Sequence, residues 1–135
     1  TSEAAIELAG ADEPGTALPG EGKGALTEPM LDKLSALISA MNDKYGADLG
    51  EADKVWVDQQ WVVVKEDDEM RDVALNNDRS QFEMVLEQKV KDLLIDRHDK
   101  NGVLFDLFFS NPDFQVSLVR YLAGTYDEFR QESAL

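Results

Sequence analysis

The chain has 135 residues, 13 basic and 28 acidic, giving a net charge of −15, with 43% hydrophobic residues and no cysteine. This composition supports one packed domain and excludes a disordered chain. It also excludes a surface that gains affinity by neutralising phosphates, on nucleic acid or an anionic membrane, and any disulfide, thiolate nucleophile or cysteine-held zinc.

Residues 1–25 hold five of the nine glycines, two of the four prolines and no aromatic residue. They read as a flexible acidic linker, with at most a short extended piece at Ile6 and Leu8, ahead of a helical domain over residues 26–135. From Thr27 the pattern turns helical. Met30, Leu34, Leu37, Ile38, Met41 and Tyr45 form one stripe of period 3.6. Thr27 suits the N-cap, Pro29 the first turn and Gly46 the stop.

Gly50 to Glu66 carries Val62-Val63-Val64, a strand-like run, but a helix fits better. Ala52, Val55, Trp56, Val62 and Val63 fall on one side, and Val57, Trp61 and Val64 form a second stripe opposite. Asp67-Asp68-Glu69 opens a short helix to about Leu75, closed by Asn76-Asn77. A longer helix runs from about Arg79 to Arg97, with Phe82, Val85, Leu86, Val90 and Leu93 on its buried face. After Asn101-Gly102, the apolar residues Val103 to Phe109 predict a short central helix. Asn111-Pro112-Asp113 restarts the chain, and a last helix carries Phe114, Leu118, Tyr121, Leu122 and Phe129 to about Arg130, weakened locally at Gly124. The expected fold is all-α, a compact bundle of about six helices preceded by a flexible Gly/Pro-rich linker.

Few residues point to chemistry. His98 lies between Arg97 and Asp99, but helical neighbours one and two apart do not face each other, so an exposed histidine at a helix end is preferred to a general base or metal ligand. Asp99, Asn101 and Gly102 sit at calcium-loop offsets, yet the first and last loop positions fall on Arg97 and Phe108, which supply no carboxylate. Gly20 to Gly24 imitates a phosphate loop without its hydroxyl residue or preceding strand. Asp78, Glu87 and Lys89 could imitate a nuclease carboxylate–lysine set, but that set needs carboxylates on adjacent strands and these lie on or beside one helix, where Glu83, Glu87 and Lys91 read as solvated pairs. The acidic run Glu66 to Glu69 reads as a solvated turn, with attraction of a basic partner as the alternative.

The double-striped helix carries more weight. A helix sandwiched in the core is the preferred account. The alternative is that Val57, Trp61 and Val64 dock a partner, since tryptophan is enriched at interface hot spots.

Three separated stretches resemble a known family in order and spacing. Leu37 to Asp53, Leu93 to Asn101 and Phe108 to Phe114 are similar to segments near the C-terminus of bacterial type I restriction enzyme R subunits. The match spans about residues 30–130, and the glycine-rich opening is similar to the linker before that region. The resemblance departs at Gln60-Trp61-Val62-Val63-Val64, where relatives are more charged. It implies a helical C-terminal domain that helps seat the R subunit on a methyltransferase core of M and S subunits. The nuclease and ATP-driven motor motifs of such subunits, with their ATP and magnesium, lie outside the matched region, so no catalytic residue, cofactor or metal ligand carries over.

The sequence therefore predicts a non-catalytic assembly domain whose partners are the M and S subunits and the motor domains of its own subunit. The alternative is an internal structural domain that stabilises those motor domains. Direct nucleic-acid binding is not expected, nor is a membrane, since no apolar run approaches the ~20 residues a bilayer needs. No signal peptide is recognised, Thr1 suits a piece of a longer protein, and a cytoplasmic location is expected.

Overall fold

A computed structural model describes residues 28–97 and 102–134. The expected linker, the Thr27 cap and His98 lie outside the described residues. Seven helices follow one another: α1 (Glu28–Tyr45), α2 (Glu51–Lys65), α3 (Asp68–Asn76), α4 (Arg79–Ile95), α5 (Val103–Ser110), α6 (Pro112–Leu122) and α7 (Gly124–Ala134). Among the described residues there is no strand, and no helix is long and apolar enough to cross a membrane. The all-α class holds, with the last of the six expected helices divided in two.

Polar side chains set the helix boundaries where the sequence placed them. The Asp67, Asp78 and Asn111 side chains accept the N–H groups of Met70, Gln81 and Phe114 at 2.9, 2.9 and 3.1 Å, each satisfying a donor that the first helical turn leaves unpaired. At the start of α2 the Asp53 carboxylate reaches back to the Gly50 N–H at 3.0 Å. Gly46, at φ +61°, ends α1 in the left-handed conformation that a side chain disfavours.

Each helix contributes a stripe to one core. Leu34 and Met41 come from α1, with Met30, Leu37, Ile38 and Tyr45 packed half-buried around them. On α4 the buried residues are Phe82, Leu86, Val90 and Leu94. Leu94 replaces the expected Leu93, because a strict i, i+4 row keeps one ridge against its neighbours. The Phe82 ring tilts against Tyr126 and meets Phe129 edge-on, with centroids 5.4 and 6.3 Å away. Helix α6 is the central element, packing against α1, α4, α5 and α7.

Two expectations about the end of the chain are corrected. Helix α5 is not central. It packs on α6, burying Leu104 and Phe108, while Val103 and Phe109 stay exposed and the Phe105, Phe108 and Phe109 rings cover one another. Eight residues that are apolar all round need not be enclosed all round when their own rings shield part of the surface. The final helix does not run through Gly124 but breaks at Ala123. There the Thr125 hydroxyl donates to the Leu122 carbonyl at 2.8 Å, competing with the helical ladder. A β-carbon at Gly124 would lie 2.5 Å from the Trp61 ring, so the break brings the α7 backbone directly onto the indole.

The cap at Asp67 also joins two helices. Its second oxygen pairs with Lys89 of α4, both side chains being half-buried. Burial alone would raise the Asp67 carboxyl. The hydrogen bond and charge of Lys89 and the Met70 N–H outweigh it, holding the carboxyl below the ordinary range. The same hydrogen bond raises the Lys89 ammonium. Both shifts favour the charged pair, so its stabilisation is complete above the ordinary aspartate value and below the ordinary lysine value. It is lost as pH falls through the Asp67 value or rises through that of Lys89. Asp67→Asn keeps a capping oxygen and removes the charge. It is expected to cost about 1 kcal/mol at neutral pH, and urea unfolding should show that difference vanishing as pH falls through the lowered Asp67 value, beneath the ordinary aspartate range.

Candidate docking surface

The residues first considered for a partner surface lie inside the protein. Val57, Trp61 and Val64 are 1%, 2% and 0% exposed. Trp61 meets the Tyr121 ring edge-on at 5.6 Å and donates its indole N–H to Glu128 at 3.0 Å. This corrects the docking reading of the three residues and supports the core reading, but only one side of α2 is core. The first stripe, which the sandwiched account also placed in the core, is the outer one. Ala52 is exposed, Val55 and Val63 are 43% and 39% exposed, and Trp56 and Val62 are half-buried. Burying the indole removes far more apolar surface from water than burying two valines, so the tryptophan side turns inward. The ring lies against the bare backbone of Gly124, a glycine that the sequence alone presents only as a weak point in a helix.

The flanks of α2 are tied to other helices by charge. On one flank the Lys65 ammonium reaches Glu132 at 2.6 Å and Glu128 at 3.7 Å, and lies 4.7 Å from the Phe129 ring centre. On the other, Arg97 donates to Asp53 at 3.1 Å and stacks over the Trp56 ring. Arg97 and Asp53 are 11% and 16% exposed, so solvent screens this pair little.

One polar atom inside this region stands alone. Oδ1 of Asp58 is buried and has no hydrogen-bond partner among the described residues. Burial raises its carboxyl, an effect the nearby Lys54 partly offsets. Burial, helped by the Asp58 charge, also raises the Tyr121 phenol, which donates to the Met30 carbonyl at 3.2 Å.

The groups weighed for catalysis have structural occupations. Asp78 caps α4, Glu87 pairs with Lys91, and Lys89 pairs with Asp67. Among the described residues, no three histidine or carboxylate side chains converge as a metal ligand set. The acidic run from Glu66 to Glu69 forms the corner between α2 and α3. Asp67 there is bound to Lys89 and Asp68 to Arg71, while Glu66 and Glu69 point outward.

The three stretches that resemble the R-subunit region meet in space. Asp53 of the first holds Arg97 of the second, and the Tyr45 hydroxyl of the first donates to Asp113 of the third at 3.2 Å. Within the first, the Asn42 amide donates to the Leu49 carbonyl at 2.9 Å and accepts the Leu49 N–H at 2.8 Å, fixing the turn between α1 and α2. The first stretch thus touches both of the others. No family model, curated protein or solved structure matches the chain.

Proposed function

We propose that this chain is a non-catalytic helical assembly domain of a type I restriction R subunit, holding that subunit on the methyltransferase core of M and S subunits. The resemblance of the three stretches, in order and spacing, carries the reading, and all three lie in one helical domain. Residues 68 positions apart, Tyr45 and Asp113, are in contact, as are Asp53 and Arg97, 44 apart. The acidic composition supports a protein partner over direct contact with DNA. A cytoplasmic location belongs with this reading. ATP and magnesium then act in the motor and nuclease parts of the subunit, and this domain contributes only position.

Deletion of residues 26–135 from the subunit tests the proposal. Co-purification with the M and S subunits is expected to be lost while the remaining subunit keeps its ATPase activity. Unchanged co-purification would refute it. Retained assembly with a less stable motor would instead support the internal structural domain.

A further inference from the structure

We infer that residues 126–134 form a strap that lifts from the domain as one unit, hinged at Gly124 and Thr125, while α1 to α6 stay folded, and that its opening governs the access of water to the Trp61 indole. The strap does not depend on the assembly reading. Its hinge is visible in the backbone. The Tyr126 N–H reaches the Ala123 carbonyl at 3.0 Å, one residue nearer than an α-helical partner, and the Leu122 carbonyl accepts the Thr125 hydroxyl instead. Gly124 lies against the Trp61 ring and Thr125 is fully buried, so both stay anchored when the residues after them move.

Beyond the hinge, one apolar side chain holds the strap. Phe129 is buried edge-on against Phe82, whereas Tyr126 and Glu128 are half-buried, and Asp127 and Arg130 to Ala134 are exposed. Helix α6, equal to α7 in length, buries five side chains. The other grips are polar. The Tyr126 hydroxyl donates to the Asn77 carbonyl at 3.3 Å, Arg79 holds Asp127 at 3.1 Å, and Lys65 meets Glu128 and Glu132. Solvent-facing ion pairs each add little, and a free helix this short is unstable in water. Once Phe129 leaves its site the remaining hold is too small to keep the strap in place, so it opens together rather than residue by residue. Opening takes the Tyr126 and Phe129 rings from Phe82 and the Glu128 carboxylate from the indole N–H of Trp61. The Tyr121 ring, on α6, stays against the indole.

The test is hydrogen exchange on the full 135-residue chain, followed at several urea concentrations below the unfolding transition. The amides of α7 are expected to exchange faster than those of α4 and α6 by about tenfold or more, and with a weaker urea dependence, since lifting a strap exposes little surface. Equal rates and equal urea dependence in α7 and α4 would show that the helix opens only with the whole domain, and overturn the proposal. A second measurement uses a Trp56→Phe background, in which Trp61 is the single indole. Adding Phe129→Ala should hold the strap open. Acrylamide then quenches Trp61 severalfold more strongly and α7 loses its protection, while α4 and α6 remain protected. Unchanged quenching overturns the control of Trp61 access. Loss of protection in α4 as well makes strap and domain one cooperative unit, and overturns the strap.

Discussion

Trp61→Ala is expected to lower the stability of the helical domain by about 3–5 kcal/mol, enough to unfold a marginal domain at moderate urea. The substitution removes the ring that fills the space between α2, α6 and α7, with Tyr121 and the Gly124 backbone packed against it. It also leaves Glu128 without the indole N–H. Trp61→Phe should lose much less, about 1–2 kcal/mol, since most of the ring volume stays and one hydrogen bond goes. The ordering is what matters. If Trp61→Ala left the urea midpoint unchanged, the indole would not be core, and the choice of inner and outer faces of α2 would fall with it.

Gly124→Ala should also destabilise, against the usual preference of a helix for alanine. Replacing glycine in a helix ordinarily gains roughly 1 kcal/mol. Here the new methyl would sit 2.5 Å from a ring carbon of Trp61, a rigid and enclosed side chain that cannot turn away. Overpacking of this kind costs about 1–3 kcal/mol. The sign should reverse once the ring is gone. In a Trp61→Ala background Gly124→Ala has room and keeps its helical gain, so a double-mutant cycle should show a coupling of about 2 kcal/mol. Additive effects would mean that the two residues do not touch.

The helix starts were legible because short polar side chains announce them: Asp67, Asp78 and Asn111 cap the helices they precede. Apolar periodicity located the stripes of α1 and α4 for the same reason, since a single stripe has only one way to face inward. Helix α2 has two stripes, and periodicity cannot rank them. The ranking came from a partner far along the chain, the bare backbone at Gly124, which the sequence alone presents as a weakness in a helix. The α6–α7 break was hidden likewise, because Tyr121, Leu122 and Phe129 continue one face on both sides of it. The ties that join the resembling stretches are long-range pairs, and nothing in the local sequence of Asp53 names Arg97 as its partner.

Helix α7 differs from the others in how it is held. Only Thr125 and Phe129 are buried along it, and much of its attachment is ionic or polar: Lys65 to Glu128 and Glu132, Arg79 to Asp127, and Arg130 to the Ala74 carbonyl. Added electrolyte therefore acts in opposite directions at two places. Across the acidic chain as a whole, counterions relieve mutual repulsion and favour compaction. At the solvent-facing grips on the final helix they weaken attraction instead, so the ionic medium shifts mechanical firmness from the tail of the domain toward its middle.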